Sequence, residues 1–209
     1  AIFQIHPNTT IPFISFYPFK SIIKYQINLT DHAFWLGSPD FFDYSFEFRN
    51  YGMTISLDKR GFHEKQLLLN PFYPWQSGIS FQGFPIDVQD KVVIFSGGAM
   101  YKIEGDNDMY YHLVKSILDT YSNVVLFYAG SGNSTHLEKF ISDNKYEDRL
   151  VLLGNRKDID EVFKNCDIYL STYPIGGGLM SQLAAINAKP ILLYKSEQIE
   201  NIICTKNTA

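Results

Sequence analysis

Val92-Val93-Ile94-Phe95-Ser96-Gly97-Gly98 is an apolar run that stops in two glycines, and its reading decides the fold. Four more runs follow it: Val124-Val125-Leu126-Phe127-Tyr128, Leu150-Val151-Leu152-Leu153, Ile168-Tyr169-Leu170 and Ile191-Leu192-Leu193-Tyr194. All are short, and most are rich in β-branched or aromatic residues, as strands buried on both faces are. Amphipathic stretches separate them. Leu113, Val114, Ile117, Leu118 and Tyr121 repeat at helical spacing. Further helices start near Thr135 and near Asp158, where Glu138 and Glu161 three residues on give each the look of a capping box. Strand and helix alternate over five strands and four helices, which predicts an α/β fold: a doubly wound, Rossmann-like parallel sheet.

Upstream the chain changes character. Aromatic residues and proline are dense, among them Phe13, Phe16, Tyr17, Pro18, Phe41 and Phe42. Short strands are expected at Ile22–Leu29, Tyr44–Phe48, Met53–Leu57 and Gln66–Leu69, without long amphipathic helices between most of them. Residues 1–88 therefore read as an incomplete part of a second α/β domain and 89–209 as the sheet domain, with the boundary in the polar, glycine-containing stretch 77–90.

The chain has 209 residues, of which 45% are apolar and 19% charged, so it folds around a core and is not disordered. A net charge of −4 without a dense basic run excludes a nucleic-acid footprint. No apolar stretch reaches the ~18 residues of a membrane span, and no signal-peptide pattern opens the chain, so a cytoplasmic protein is expected. Cys166 and Cys204 fit a reducing compartment and read as inert. The sequons at Asn8, Asn28 and Asn133 are near chance in a chain this rich in Asn and Thr. Ala1 in place of Met, and the polar end at Ala209, read as a fragment.

Ligands of parallel α/β sheets bind beyond the carboxyl ends of the strands. Three of those ends are glycine-rich: Ser96-Gly97-Gly98, Ala129-Gly130-Ser131-Gly132 and Tyr173-Pro174-Ile175-Gly176-Gly177-Gly178, with a single Gly154 ahead of Asn155 and Arg156. Glycine lets backbone amides approach a ligand, and the helix after Gly178 points its positive end at an anion. The pattern predicts a diphosphate seat. Lys102 can add a point charge over the first turn, although a solvated loop lysine has the same spacing. A P-loop is missing, and Gly97-Gly98 does not continue as G-x-G-x-x-G, which disfavours a nucleotide kinase and a dinucleotide oxidoreductase. Asp106-Asn107-Asp108 and Asp158-Ile159-Asp160 read D-x-D, but each opens a helix, so capping explains them and no metal is assigned. His32, beside Asp31 and ahead of Ala33-Phe34-Trp35, reads either as a base for a substrate hydroxyl or as a packed histidine. Glu47 and Arg49 read as a structural ion pair.

Together these elements resemble a known family. Val92 to Gly98 with Lys102, Arg149 to Gly154, and Gly176-Gly177-Gly178-Leu179 running to Ala188-Lys189-Pro190-Ile191 are similar to the donor-binding half of GT-B glycosyltransferases. The likeness is to the retaining family that includes glycogen synthase and bacterial polysaccharide-assembly enzymes. Leu29 to Gly37 looks like the close of the acceptor-side domain. The resemblance implies a GT-B type fold and sugar transfer from a nucleotide diphosphate sugar, UDP- or GDP-linked, to a glycan or lipid-linked acceptor, without a resident cofactor. It implies binding by Gly97, Gly98, Lys102, Gly130, Gly154, Arg156, Gly176, Gly177, Gly178, Leu179, Ser181 and Gln182, with His32 and Lys102 in catalysis. The aromatic surface of residues 13–42 reads as a core or subunit contact in preference to a face for a membrane-bound acceptor. One position departs from the family: Leu183 stands where a glutamate usually holds the donor ribose, and Gln182 or Ser181 would have to substitute. Leu183 favours the alternative, an inactive GT-B-like scaffold or chaperone that binds a partner glycosyltransferase or a glycan.

Overall fold

The computed structural model describes residues 1–5, 11–28, 38–69 and 78–194. They form two compact units, residues 1–69 and 78–194. Among the described residues no helix is long and apolar enough to cross a membrane.

The first unit carries β1 (Ile2–Ile5), α1 (Ile11–Phe16), β2 (Tyr25–Asn28), β3 (Tyr44–Glu47), α2 (Asn50–Arg60) and β4 (Gln66–Leu68). Its four strands lie in chain order and all pair in parallel. Phe3, Phe42 and Phe62 are buried and collect Phe13, Phe16 and Phe41 around them. Met53–Leu57, expected as a strand, lies inside α2, and β1 had no counterpart in the sequence reading. The reason is chemical. α2 buries Gly52, Ser56 and Arg60, a helical spacing of four that is written in small and polar residues. A search for apolar periodicity sees only the alternation of Met53, Ile55 and Leu57. Gly61 then ends the helix at φ 73°, donating its N–H to the Ser56 carbonyl.

That face of α2 meets polar residues of the sheet. Gln26 and Asn28 on β2, and Ser45 and Glu47 on β3, are all fully buried on one face. The Glu47 carboxylate accepts from Ser56 Oγ (2.5 Å), Ser45 Oγ (2.7 Å) and Asn28 Nδ2 (3.0 Å). Gln26 Nε2 donates to Ser45 Oγ at 2.7 Å. Glu47 is thus held by side-chain hydrogen bonds, with Arg60 as the neighbouring charge, while Arg49 sits at the N-cap of α2. Burial of Asn28 within this network takes its sequon out of solvent. Asn8 and Cys204 lie outside the described residues.

The second unit carries β5 (Val92–Gly97), α3 (Met109–Thr120), β6 (Val124–Ala129), α4 (Thr135–Asn144), β7 (Leu150–Gly154), α5 (Ile159–Asn165), β8 (Ile168–Leu170), α6 (Gly178–Ile186) and β9 (Ile191–Leu192). The strands pair in parallel in the order β7-β6-β5-β8-β9, so the chain starts in the middle and winds outward both ways. Side-chain alternation builds two cores. Ile94, Leu126 and Tyr128 pack against Val114 and Leu118 of α3 and Leu137 of α4. Val93, Phe95, Val125 and Phe127 pack against Val162 and Phe163 of α5 and Leu183 and Ala184 of α6. Cys166 is buried in the second core, where desolvation pushes its thiol up to about 11, an inert setting.

Residues 78–88 go with this unit, ahead of the start at 89 read from the sequence. Phe81, Phe84, Ile86 and Val88 pack on the second core, and Phe84 stacks on Phe127 at 4.2 Å between ring centroids. A strap of this kind has no helix or strand period, which is why its composition reads as a linker.

Desolvation raises the Glu47 carboxyl above its ordinary value near 4.5, against the pull of its hydrogen bonds. The folded state then holds the proton more tightly than the unfolded chain, so stability of the first unit falls as pH rises from 4.5 through the raised value. Carboxyl-carbon NMR is expected to place the Glu47 midpoint above 4.5; a midpoint at or below it contradicts this account.

Candidate functional site

The carboxyl ends of β5, β6 and β7 lie side by side because strand register puts them there: Gly97 pairs with Ala129, and Ala129 with Gly154. The glycines of these ends serve the sheet itself. Gly98 N donates to Ala129 O, and Gly130 N donates to Gly154 O, each at 2.9 Å. Those two amides extend the ladder and are not available to a ligand. A Cβ on Gly130 would sit 1.8 Å from Gly98 O, and one on Gly97 2.8 Å from Ala129 O, so glycine is there for close backbone approach. Tyr128 Oη, fully buried, closes the arrangement by donating to Gly98 O at 3.1 Å.

The third turn is different. Gly177 is the N-cap of α6, whose helical bonding starts with Ser181 N donating to Gly177 O at 2.9 Å. The first amides of a helix have no intrahelical acceptor, and with the helix dipole they favour an anion. The turn is fixed by Thr172 Oγ1, which donates to Ile175 O at 2.7 Å. Ile175 N in turn donates to Lys102 O at 3.3 Å, which ties the lysine loop to the glycine turn. The stem of Lys102 passes over Gly98: a Cβ built there would meet Lys102 Cδ at 3.2 Å and Thr172 Cγ2 at 3.7 Å. Gly98 itself has φ 152°, a conformation that side chains rarely adopt. Among the described residues the Lys102 ammonium has no acceptor or acidic partner. Within α6 Ser181 Oγ and Gln182 Oε1 are buried atoms without a hydrogen-bond partner among the described residues, while Leu179 is exposed.

Of the residues named from the sequence, Lys102, Gly176, Gly177, Gly178, Ser181 and Gln182 thus fall on two elements joined by one hydrogen bond. Gly97, Gly98 and Gly130 shape the floor beside them. Gly154 ends β7 at φ 62°. Arg156 has partners within the fold. Its Nε and Nη2 bind the two oxygens of Asp158 at 2.7 and 2.6 Å, and Nη1 donates to Gly83 O at 2.9 Å. Three of the five guanidinium N–H groups thus hold the 78–88 strap and Asp158, and one N–H on each of Nη1 and Nη2 remains. Asp158 holds the N-cap position of α5 and accepts from Val162 N through its carbonyl, but its carboxylate takes Arg156 and the Gln82 amide (2.8 Å), so no side-chain cap forms. At α4 the cap is Asn133, whose Oδ1 accepts from Thr135 N (3.0 Å), while Ser134 Oγ donates to Glu138. Asp108 precedes α3 at φ 59°, again without a side-chain cap. Leu183 is 2% exposed and belongs to the second core. His32 lies outside the described residues. Tyr128 and Thr172 were not singled out in the sequence; their hydroxyls act on backbone atoms, and no spacing rule signals that.

No protein-family model matches the sequence, and no curated protein matches it. Solved structures do match. The S. aureus MnaA–UDP structure superposes with a TM-score of 0.66 at 13% identity, over 93% of this chain and 57% of that one. A glycosyltransferase from Rickettsia africae gives 0.65 at 8% identity, over 91% and 56%. A variant of S. aureus TarM in complex with fondaparinux, α-GlcNAc-glycerol and UDP gives 0.62 at 14%, over 82% and 36%. The likeness shows the fold: it is of GT-B type, with a Rossmann-like sheet preceded by α/β structure. The chain spans 36% to 57% of the length of these structures.

Replacing Arg156 by Ala leaves Asp158, fully buried, without its countercharge. The expected loss is about 3 kcal/mol, measured by denaturant unfolding of the second unit. Arg156 holds the Asp158 carboxyl below its ordinary value, so the pair stabilises at neutral pH and fades as pH falls through that lowered value. A variant as stable as the parent at pH 7 contradicts the clamp.

Proposed function

We propose that the chain is the donor-binding part of a glycosyltransferase that moves a sugar from a nucleotide diphosphate sugar to a glycan or lipid-linked acceptor in surface polysaccharide synthesis. The observation that carries this reading is the hydrogen bond from Ile175 N to Lys102 O, which joins the backbone of a lysine without an acidic partner among the described residues to the turn that opens α6. In transfer, the bond between the anomeric carbon and the diphosphate oxygen breaks while the acceptor oxygen bonds to that carbon. Negative charge grows on the departing diphosphate. Lys102 and the first amides of α6 are proposed to stabilise it, which asks for no metal and no resident cofactor. The fold supports the reading, as does UDP in the MnaA and TarM structures.

Ser181 Oγ and Gln182 Oε1 are the proposed partners of the donor's hydroxyl groups, in place of the glutamate that Leu183 displaces. His32 is the proposed acceptor-side base. The proposed setting is the cytoplasmic face of the membrane, with UDP or GDP as the nucleotide. The burial of Leu183 favours a second reading, in which the ribose has no charged acceptor and the protein is a scaffold for a partner enzyme or glycan.

Titration calorimetry separates them. The proposal expects heat with UDP or GDP, and binding about ten- to a hundredfold weaker in Lys102→Ala, the range of a charge-assisted hydrogen bond. No heat with either nucleotide moves the assignment to the scaffold. Release of the diphosphate from a panel of nucleotide sugars then requires the enzyme.

A further inference from the structure

Beyond β5 and β6 the loops 99–104 and 131–136 enclose a cavity of about 440 Å³, and nothing in the donor seat uses its polar groups. His136 Nδ1 lies 2.7 Å from Glu104 Oε2, and Tyr111 Oη donates to Glu104 Oε1 at 2.8 Å. The imidazole lies against the Tyr111 ring, 4.5 Å between centroids. Glu104 therefore orients the histidine, with Nδ1 turned to the carboxylate. Asp108 Oδ2 is 3.9 Å from His136 Nε2. Asn133 Oδ1 is taken by the Thr135 amide and hydroxyl, which leaves its NH₂ as a donor. Tyr101, 62% exposed, forms part of the lining.

Charge decides the class of ligand. The lining carries the Glu104 carboxylate and His136, with Asp108 next to them, and among the described residues it includes no lysine or arginine. A phosphoryl group is repelled there. What remains is a set of oriented hydroxyl partners, Glu104, Asn133 and His136, beside an exposed aromatic ring. Rings of this kind cover the C–H face of a sugar while side-chain amides and carboxylates bind its hydroxyls. The size is within the ~300–1,000 Å³ of small-molecule sites. We propose that this cavity is a subsite for a neutral sugar residue. Its place in the chemistry, as the seat of a residue of the acceptor glycan, rests on the proposed transferase.

Saturation-transfer NMR on the 209-residue chain tests it with methyl α-glucopyranoside, methyl β-galactopyranoside and N-acetylglucosamine as probes. At least one is expected to receive saturation, with binding about fivefold weaker in Tyr101→Ala and in Glu104→Gln, and inorganic phosphate is expected not to compete. Three silent probes, a response unchanged in both variants, or displacement by phosphate overturns the subsite. UDP calorimetry on the same samples keeps the two assignments apart. UDP binding without sugar binding rejects the subsite alone; sugar binding without UDP binding upholds it and rejects the donor seat.

Discussion

The backbone at residue 130 has room for a hydrogen atom and nothing larger. A side chain there would begin 1.8 Å from the carbonyl oxygen of Gly98. That closeness lets the turns after β5 and β6 lie against one another, continues the ladder through Gly98 and Gly130, and fixes the floor over which Lys102 lies. Displace the two turns and the lysine loop loses its support, and with it the link to Ile175 and α6. The chemistry of the site is a consequence of this contact.

Glycine clusters thus have two uses in one sheet. After β5 and β6, Gly98 and Gly130 have spent their amides on neighbouring strands, while the third cluster opens a helix. The diphosphate seat proposed above consists of a few helix amides and one cation, smaller than a row of three glycine turns would make. The loop that supplies the cation is also the loop that supplies Tyr101 and Glu104. The proposed donor seat and the proposed sugar cavity therefore share residues 99–104, and a shift in that loop would reach both.

How much of this was legible depends on where each signal is written. The parallel, doubly wound sheet of β5–β9 and its four helices were readable because parallel strands must be apolar and their helices must be amphipathic. The role of Arg156 was not, since its partners Asp158 and Gly83 stand respectively two and 73 residues away in sequence, and spacing cannot tell a clamp from a ligand contact. The strap at 78–88 reads as a linker because its contacts are tertiary. Glutamate's absence at Leu183 was legible, but its burial was not: the helix turns that position toward Phe95 and Phe163.

In α2 a helix docks through polar groups, and this restricts how it can move. A helix held by greasy side chains can slide or roll by some degrees at little cost, since such contacts have no direction. Ser56 reaches Glu47 from one azimuth only, and a roll of one residue, about 100°, would point it elsewhere. The helix is keyed, like a shaft in a slot. Gly61 then leaves it on a single heading, and β4 is delivered to the edge of the sheet by a mechanical link that composition alone does not betray.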